Sequence, residues 1–141
     1  MKVALGCDHG GFALKETVAQ RLRAASCEIE DCGVMEATAV DYPDIASRLC
    51  RLVADGVCQR GILICGTGIG MSMAANRYTA IRAALCHEPF SARMSREHND
   101  ANVLCLGARV IGPGLAAAIV DAWLAGEFAG GRHLQRITMF S

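Results

Sequence analysis

Cys65 stands directly before a loop in which glycine alternates with other residues, Gly66-Thr67-Gly68-Ile69-Gly70. Glycines at this spacing let backbone N–H groups converge on an anion, above all where a helix begins. A thiol beside such donors is suited to hold negative charge, as a base or as a nucleophile. The same residues also fit a plain strand-to-helix turn behind an inert, packed cysteine. Nucleotide fingerprints do not fit. A dinucleotide loop needs glycine where Met71 stands, and a Walker-type loop ends in a lysine that is absent here. The loop is expected to cradle an oxyanion or a small anionic group.

Two polar clusters could move protons, Asp8-His9 and His98-Asn99-Asp100. Their side chains suit hydroxyl recognition and general acid–base work, and they suit loop capping as well. A metal site drawn from His9, His98 and a cysteine matches no standard ligand spacing, so no metal is expected. Arg132 and Arg136 lie four apart and share a face if the tail is helical. Two guanidiniums so placed can hold a phosphate through charge-assisted bonds; otherwise they form a solvated basic tail.

These groups need a scaffold, and the hydrophobic pattern describes one. Short apolar runs at Val3–Cys7, Gly61–Cys65, Ile81–Cys86 and Val103–Leu106, with a weaker one at Cys27–Glu30, read as strands. Their continuous hydrophobicity predicts burial on both faces, as in a parallel sheet. Helical stripes lie between them: Leu14, Val18, Leu22 and Ala25; then Ile45, Leu49, Leu52 and Val53. A third stripe comprises Leu115, Ala118, Ile119, Ala122 and Trp123. Pro43 and Pro89 suit first-turn positions, and Met71–Arg77 reads as a helix after the glycine loop. Repeated βα alternation predicts one α/β domain over residues 1–141, a doubly wound five-stranded parallel sheet with right-handed crossovers. In such sheets ligands bind beyond the carboxyl ends of the strands, where Asp8 and Cys65 stand.

Composition narrows the function. Fourteen basic and fourteen acidic side chains cancel, which argues against a nucleic-acid partner. No run approaches the roughly 18 apolar residues of a membrane helix. Asp8 and His9 follow the first apolar residues at once, unlike a signal peptide, so a cytoplasmic location is expected. The eight cysteines sit within apolar runs and form no CxxC pair, so most are expected to be small core hydrophobes. Cys65 is the exception, because of the loop behind it.

Taken together, several segments resemble the type B ribose-5-phosphate isomerases and their sugar-phosphate isomerase relatives. The resemblance runs through Gly6-Cys7-Asp8-His9-Gly10, Asp41-Tyr42-Pro43-Asp44, Gly61 to Arg77, Ser95 to Asn102, Leu106 to Arg109 and Gly130-Gly131-Arg132-His133. It implies a flavodoxin-like (Rossmann-like) sheet and aldose–ketose isomerisation without cofactor or metal. By this resemblance Cys65 matches the proton-abstracting base and His98 the acid that opens the sugar ring. Asp8, His9, the loop Gly66, Thr67, Gly68, Ile69 and Gly70, and also Asn99, Arg109, Arg132 and Arg136, match substrate-binding positions. It further implies a homodimer or dimer of dimers in which His98 and Asn99 reach into the partner's site. One branch of the family replaces the cysteine and carries a glutamate where Met71 stands; this chain resembles the cysteine branch. The implied substrate is ribose 5-phosphate, with six-carbon phosphates such as allose 6-phosphate or galactose 6-phosphate as alternatives. From outside this class, a non-catalytic phosphate- or nucleotide-binding module is the rival reading. A thiol redox protein would need a resolving cysteine near Cys65, and none is close in sequence.

Overall fold

The computed structural model describes residues 1–141. In chain order the elements are β1 (Lys2–Cys7), α1 (Phe12–Ala24), β2 (Glu28–Asp31), α2 (Tyr42–Ala54), β3 (Arg60–Cys65) and α3 (Ile69–Ala75). They continue with β4 (Ala83–Leu85), α4 (Pro89–Glu97), β5 (Val103–Gly107), α5 (Pro113–Ala125) and α6 (Arg132–Ile137). Pro43, Pro89 and Pro113 all fall in first turns, where their missing N–H costs nothing. Glu88 caps α4 through its carboxylate, accepting from Phe90 N–H at 2.6 Å and Ser91 N–H at 2.7 Å.

All strand pairs are parallel, in the order β2-β1-β3-β5-β4. This order decides which face each helix covers, because a right-handed crossover sets its helix by the direction of the step. The steps β1 to β2 and β4 to β5 run one way, and α1 and α4 lie on one face together with α5. Their core includes Leu14, Val18, Leu22, Ala92, Ile119 and Trp123. The steps β2 to β3 and β3 to β4 run the other way, and α2 and α3 cover the opposite face around Ile45, Leu49, Met71 and Ala75. With both faces covered, β3 and β5 are buried almost throughout, which explains their unbroken apolar runs. Relative to the flavodoxin order, the last two strands are exchanged. No helix is long and apolar enough to cross a membrane.

Four local expectations shift. α3 runs over Ile69–Ala75 instead of Met71–Arg77, because Gly68 in its left-handed conformation starts the helix two residues earlier. β4 keeps only three residues of the run at 81–86, since it lies at the sheet edge with half-buried side chains. Arg82, just before it, turns its guanidinium to the Asn99 and Asp100 carbonyls instead of extending the ladder. In α5 the buried stripe is Ala116, Ile119, Val120 and Trp123, while Leu115 and Ala118 face outward. That helix is apolar nearly all round, so spacing alone could not fix its phase. Ala25 falls just past the end of α1 and is exposed.

Candidate active site

The sheet order reverses at β1. One neighbour follows it in the chain and the other, β3, arrives by a crossover on the opposite face, which opens a crevice at their carboxyl ends. Cys65 ends β3 on one side of this crevice and Asp8 follows β1 on the other. Asp8 N–H donates to the Ile64 carbonyl at 3.2 Å, and the buried Asp8 carboxylate accepts from Gly11 N–H at 3.0 Å. The two segments are therefore fixed to each other by backbone, not by flexible side chains.

Cys65 is buried, and its Sγ accepts the Gly68 N–H at 3.0 Å. A backbone donor aimed at sulfur can solvate negative charge there without rearranging. Gly68 reaches this position in a left-handed conformation, φ +78°, which a side chain would strain. A Cβ there would also stand 2.5 Å from Leu85 and 3.0 Å from the Leu106 backbone. Gly68→Ala should therefore lose on the order of 2–3 kcal/mol of stability, from backbone strain plus overpacking. Urea denaturation checks this.

Arg109, two residues after β5, bonds Gly66 O through its N–H at 2.9 Å. Its guanidinium lies across the loop, 3.3 Å from where a Cβ on Gly66 would sit. His9 is exposed at the crevice mouth and its Nδ1 accepts the Val40 N–H at 3.4 Å. Asp8, His9, Cys65, residues 66–70 and Arg109 thus form one cluster at the carboxyl edge of the sheet. Two neighbours carried no expectation. The Tyr42 ring lies against Gly70, 2.6 Å from where a Cβ there would stand, and His87 Nε2 lies 3.4 Å from Thr67 O.

His98, Asn99, Arg132 and Arg136 are not in that cluster. α4 runs back antiparallel to the strands, so His98 at its end returns to the amino edge of the sheet. There the Asn99 carbonyl meets Arg82 before β4, and Asn102 O accepts from Gly61 N–H at the start of β3. Cys65 is at the other end of β3, about 16 Å away along a six-residue strand. The tail is helical, as α6, and joins His98: Ala129 N–H donates to Glu97 O at 2.9 Å. The His98 and His133 rings stack, centroids 4.2 Å apart and 6° from parallel. Partial desolvation, then the positive charges of His98, Arg132 and Arg136, lower the His133 pKa from its ordinary value. The candidate residues of one chain therefore fall into two groups at opposite edges of its sheet. None of its eight ion pairs uses Arg109, Arg132 or Arg136, so all three guanidiniums are free to meet an anion.

Burial sets the state of six other cysteines. All eight are free and buried. Burial pushes Cys32 up to about 12 and Cys50 to about 11, and raises Cys7, Cys58, Cys86 and Cys105 as well. These six are neutral core groups at neutral pH, as their apolar surroundings imply. No three His, Cys, Asp or Glu side chains converge as metal ligands.

Residues 3–140 match the Ribose/Galactose Isomerase family, nearly the full chain. The chain belongs to this family of sugar-phosphate isomerases. It is similar to ribose-5-phosphate isomerase B of Escherichia coli (strain K12), 51% identical over 136 residues, 96% of this chain and 91% of that protein. It is similar also to D-erythrulose-4-phosphate isomerase of Pectobacterium atrosepticum, 45% identical over 97% of this chain and 91% of that protein. Among solved structures, ribose-5-phosphate isomerase B of Clostridium thermocellum superposes with a TM-score of 0.96 at 51% identity, covering 99% of this chain and 94% of that one. Membership in the isomerase family fits an active site at the β1/β3 crevice, where the thiol, the carboxylate and the glycine loop meet.

Proposed function

We propose that the protein interconverts ribose 5-phosphate and ribulose 5-phosphate, with Cys65 as base and His98 of the partner subunit as ring-opening acid. The observation that carries this reading is Cys65 Sγ held by the Gly68 N–H in the crevice beside Asp8 and Arg109. Neither a binding module nor a packed core thiol calls for that arrangement.

The furanose must open before C2 is acidic, and an imidazole can pass a proton to the ring oxygen at neutral pH. The Cys65 thiolate then takes the C2 proton, and the C2–H electron pair moves to make the enediolate. The thiol returns a proton to C1, while O1 gains a proton and O2 gives one up. Charge developing on the enediolate oxygens is met by N–H groups of residues 66–70. Asp8, His9 and Asn99 bind the sugar hydroxyls. Arg132 and Arg136 of the partner, with Arg109, hold the phosphate, and that remote binding positions the reacting carbons.

A homodimer follows from the same reading, because one chain holds Cys65 and His98 at opposite edges of its sheet. Exposed apolar side chains support such an interface: Ile69 and Met73 on α3, Phe90 at the start of α4, Leu134 on α6, and Met139 and Phe140 beyond it.

A coupled assay comparing ribose 5-phosphate with allose 6-phosphate, galactose 6-phosphate and D-erythrulose 4-phosphate tests the substrate. The highest kcat/KM is expected on ribose 5-phosphate, and a tenfold higher value on another sugar would reassign it. Replacing both Arg132 and Arg136 with Ala should raise KM by roughly 10²-fold or more, the loss of two charge-assisted contacts. Inorganic phosphate should inhibit the parent and hardly touch the double variant; equal inhibition would move the phosphate site elsewhere.

A further inference from the structure

His133 has no part in the chemistry described above, yet it lies flat against the imidazole read as the ring-opening acid. The 4.2 Å, 6° stack is not a chance meeting of surface side chains. The Ala129 N–H to Glu97 O bond ties the segment after α5 to the end of α4, directly before His98. Gly130 and Gly131 then turn the chain through two successive positive φ values, +63° and +54°, and His133 N–H donates back to Gly130 O at 3.0 Å. This bend, open to glycine and strained for other residues, sets His133 over His98.

We propose that His133 is the positioning residue of His98: its ring face clamps the plane of the acid. This rests on the reading of His98 as ring-opening acid. Stacked imidazoles hold one another in plane, whereas His98 alone would be an exposed side chain at a helix end, free to rotate. Desolvation, then the charges of His98, Arg132 and Arg136, lower the pKa of the second ring. Arg132 and Arg136 flank His133 on α6, and two acids beside His98 are paired with arginines. Glu97 pairs with Arg93 at 3.6 Å, and Asp100 with Arg82 at 2.9 Å and Arg96 at 2.8 Å. In an assembled pair of subunits the clamp would travel with His98 into the neighbouring crevice, so precision at one site would be set by packing in the other chain.

The test separates ring opening from carbon chemistry. His133→Ala, His133→Phe and His98→Asn are compared with the parent for turnover of ribose 5-phosphate, and for exchange of the ribulose 5-phosphate C1 proton in heavy water. Ribulose 5-phosphate has no free O5 hydroxyl with which to close a furanose, so its exchange reports the base alone. His133→Ala should lower kcat on ribose 5-phosphate at least tenfold, with KM changed less than threefold and exchange within twofold of parent. His133→Phe keeps a flat ring without a proton and should recover most of the lost kcat. Parental kcat in His133→Ala, no recovery in His133→Phe, or exchange falling in step with kcat would each overturn the clamp. If His98→Asn itself keeps parental turnover, the assignment of His98 fails and the clamp fails with it, an outcome distinct from the other three. Sizing of each variant as a dimer guards the comparison against unfolding.

Discussion

Cys65→Ala is expected to lose isomerisation of ribose 5-phosphate by roughly 10²–10⁴-fold, the usual contribution of a positioned base. The fold should survive. The substitution removes one buried sulfur at the end of β3 and leaves the Gly68 N–H without its acceptor, a cost of about 1–3 kcal/mol. Cys65→Ser is the sharper comparison, because a hydroxyl keeps an acceptor for that N–H while yielding far less anion than a thiol. Both variants should also lose exchange of the ribulose 5-phosphate C1 proton with heavy water, which needs no ring opening. Retention of exchange in Cys65→Ala would assign the base to another group in the crevice. The six cysteines held neutral by burial offer no substitute: Cys105 is fully buried within the sheet, and Cys7 faces the opposite core from Cys65.

Mixing inactive subunits should restore activity. Cys65→Ala and His98→Asn chains, unfolded together in equal amounts and refolded, would form mixed dimers in about half of all pairs. Each mixed dimer would contain one crevice with both substitutions and one with neither. The expected recovery is therefore about one quarter of parental activity, above the small sum of the two variants alone. If each chain used its own His98, no intact pairing could arise and activity would stay at that sum. The number is decisive because the rival outcome is near zero. It also tests the separation of Cys65 from His98 along β3 in a way that either variant alone does not.

The scaffold was legible because its signals are local and repeated. Apolar runs gave β1, β3 and β5 nearly to the residue, since burial on both faces leaves no polar position to blur the ends. Prolines at 43 and 89 marked helix starts for a steric reason that holds in any context. β4 was overextended and α5 was turned by about one residue for the opposite reason: an edge strand and an all-apolar helix take their limits from neighbours that spacing does not reveal. At the site, the cysteine and its glycine loop announced themselves, because the chemistry and the turn sit on consecutive residues. Arg132 and Arg136 were visible as a spaced pair. Tyr42 against Gly70 and His133 on His98 were not, because each contact joins segments 28 and 35 positions apart and neither residue type is unusual where it stands. Most of all, spacing gave no hint that Cys65 and His98 lie at opposite edges. That follows from the direction in which α4 runs, and only the family resemblance had assigned His98 to a neighbour's crevice.

The exchanged strand order has a consequence for how the chain matures. β4 leaves the ribosome before β5, yet its one ladder partner is β5, which must slide in between β3 and β4. A nascent chain ending near residue 101 can zip β2, β1 and β3 together, but has no place to moor the fourth strand. The thiol's loop waits on the same event. Gly68 packs on Leu106 and Leu85, and Gly107 lies so close to Thr67 that a Cβ would stand 2.6 Å from its carbonyl oxygen. The candidate crevice is thus assembled late, by the last strand to be synthesised, and a growing polypeptide holds an unformed cradle until that strand docks.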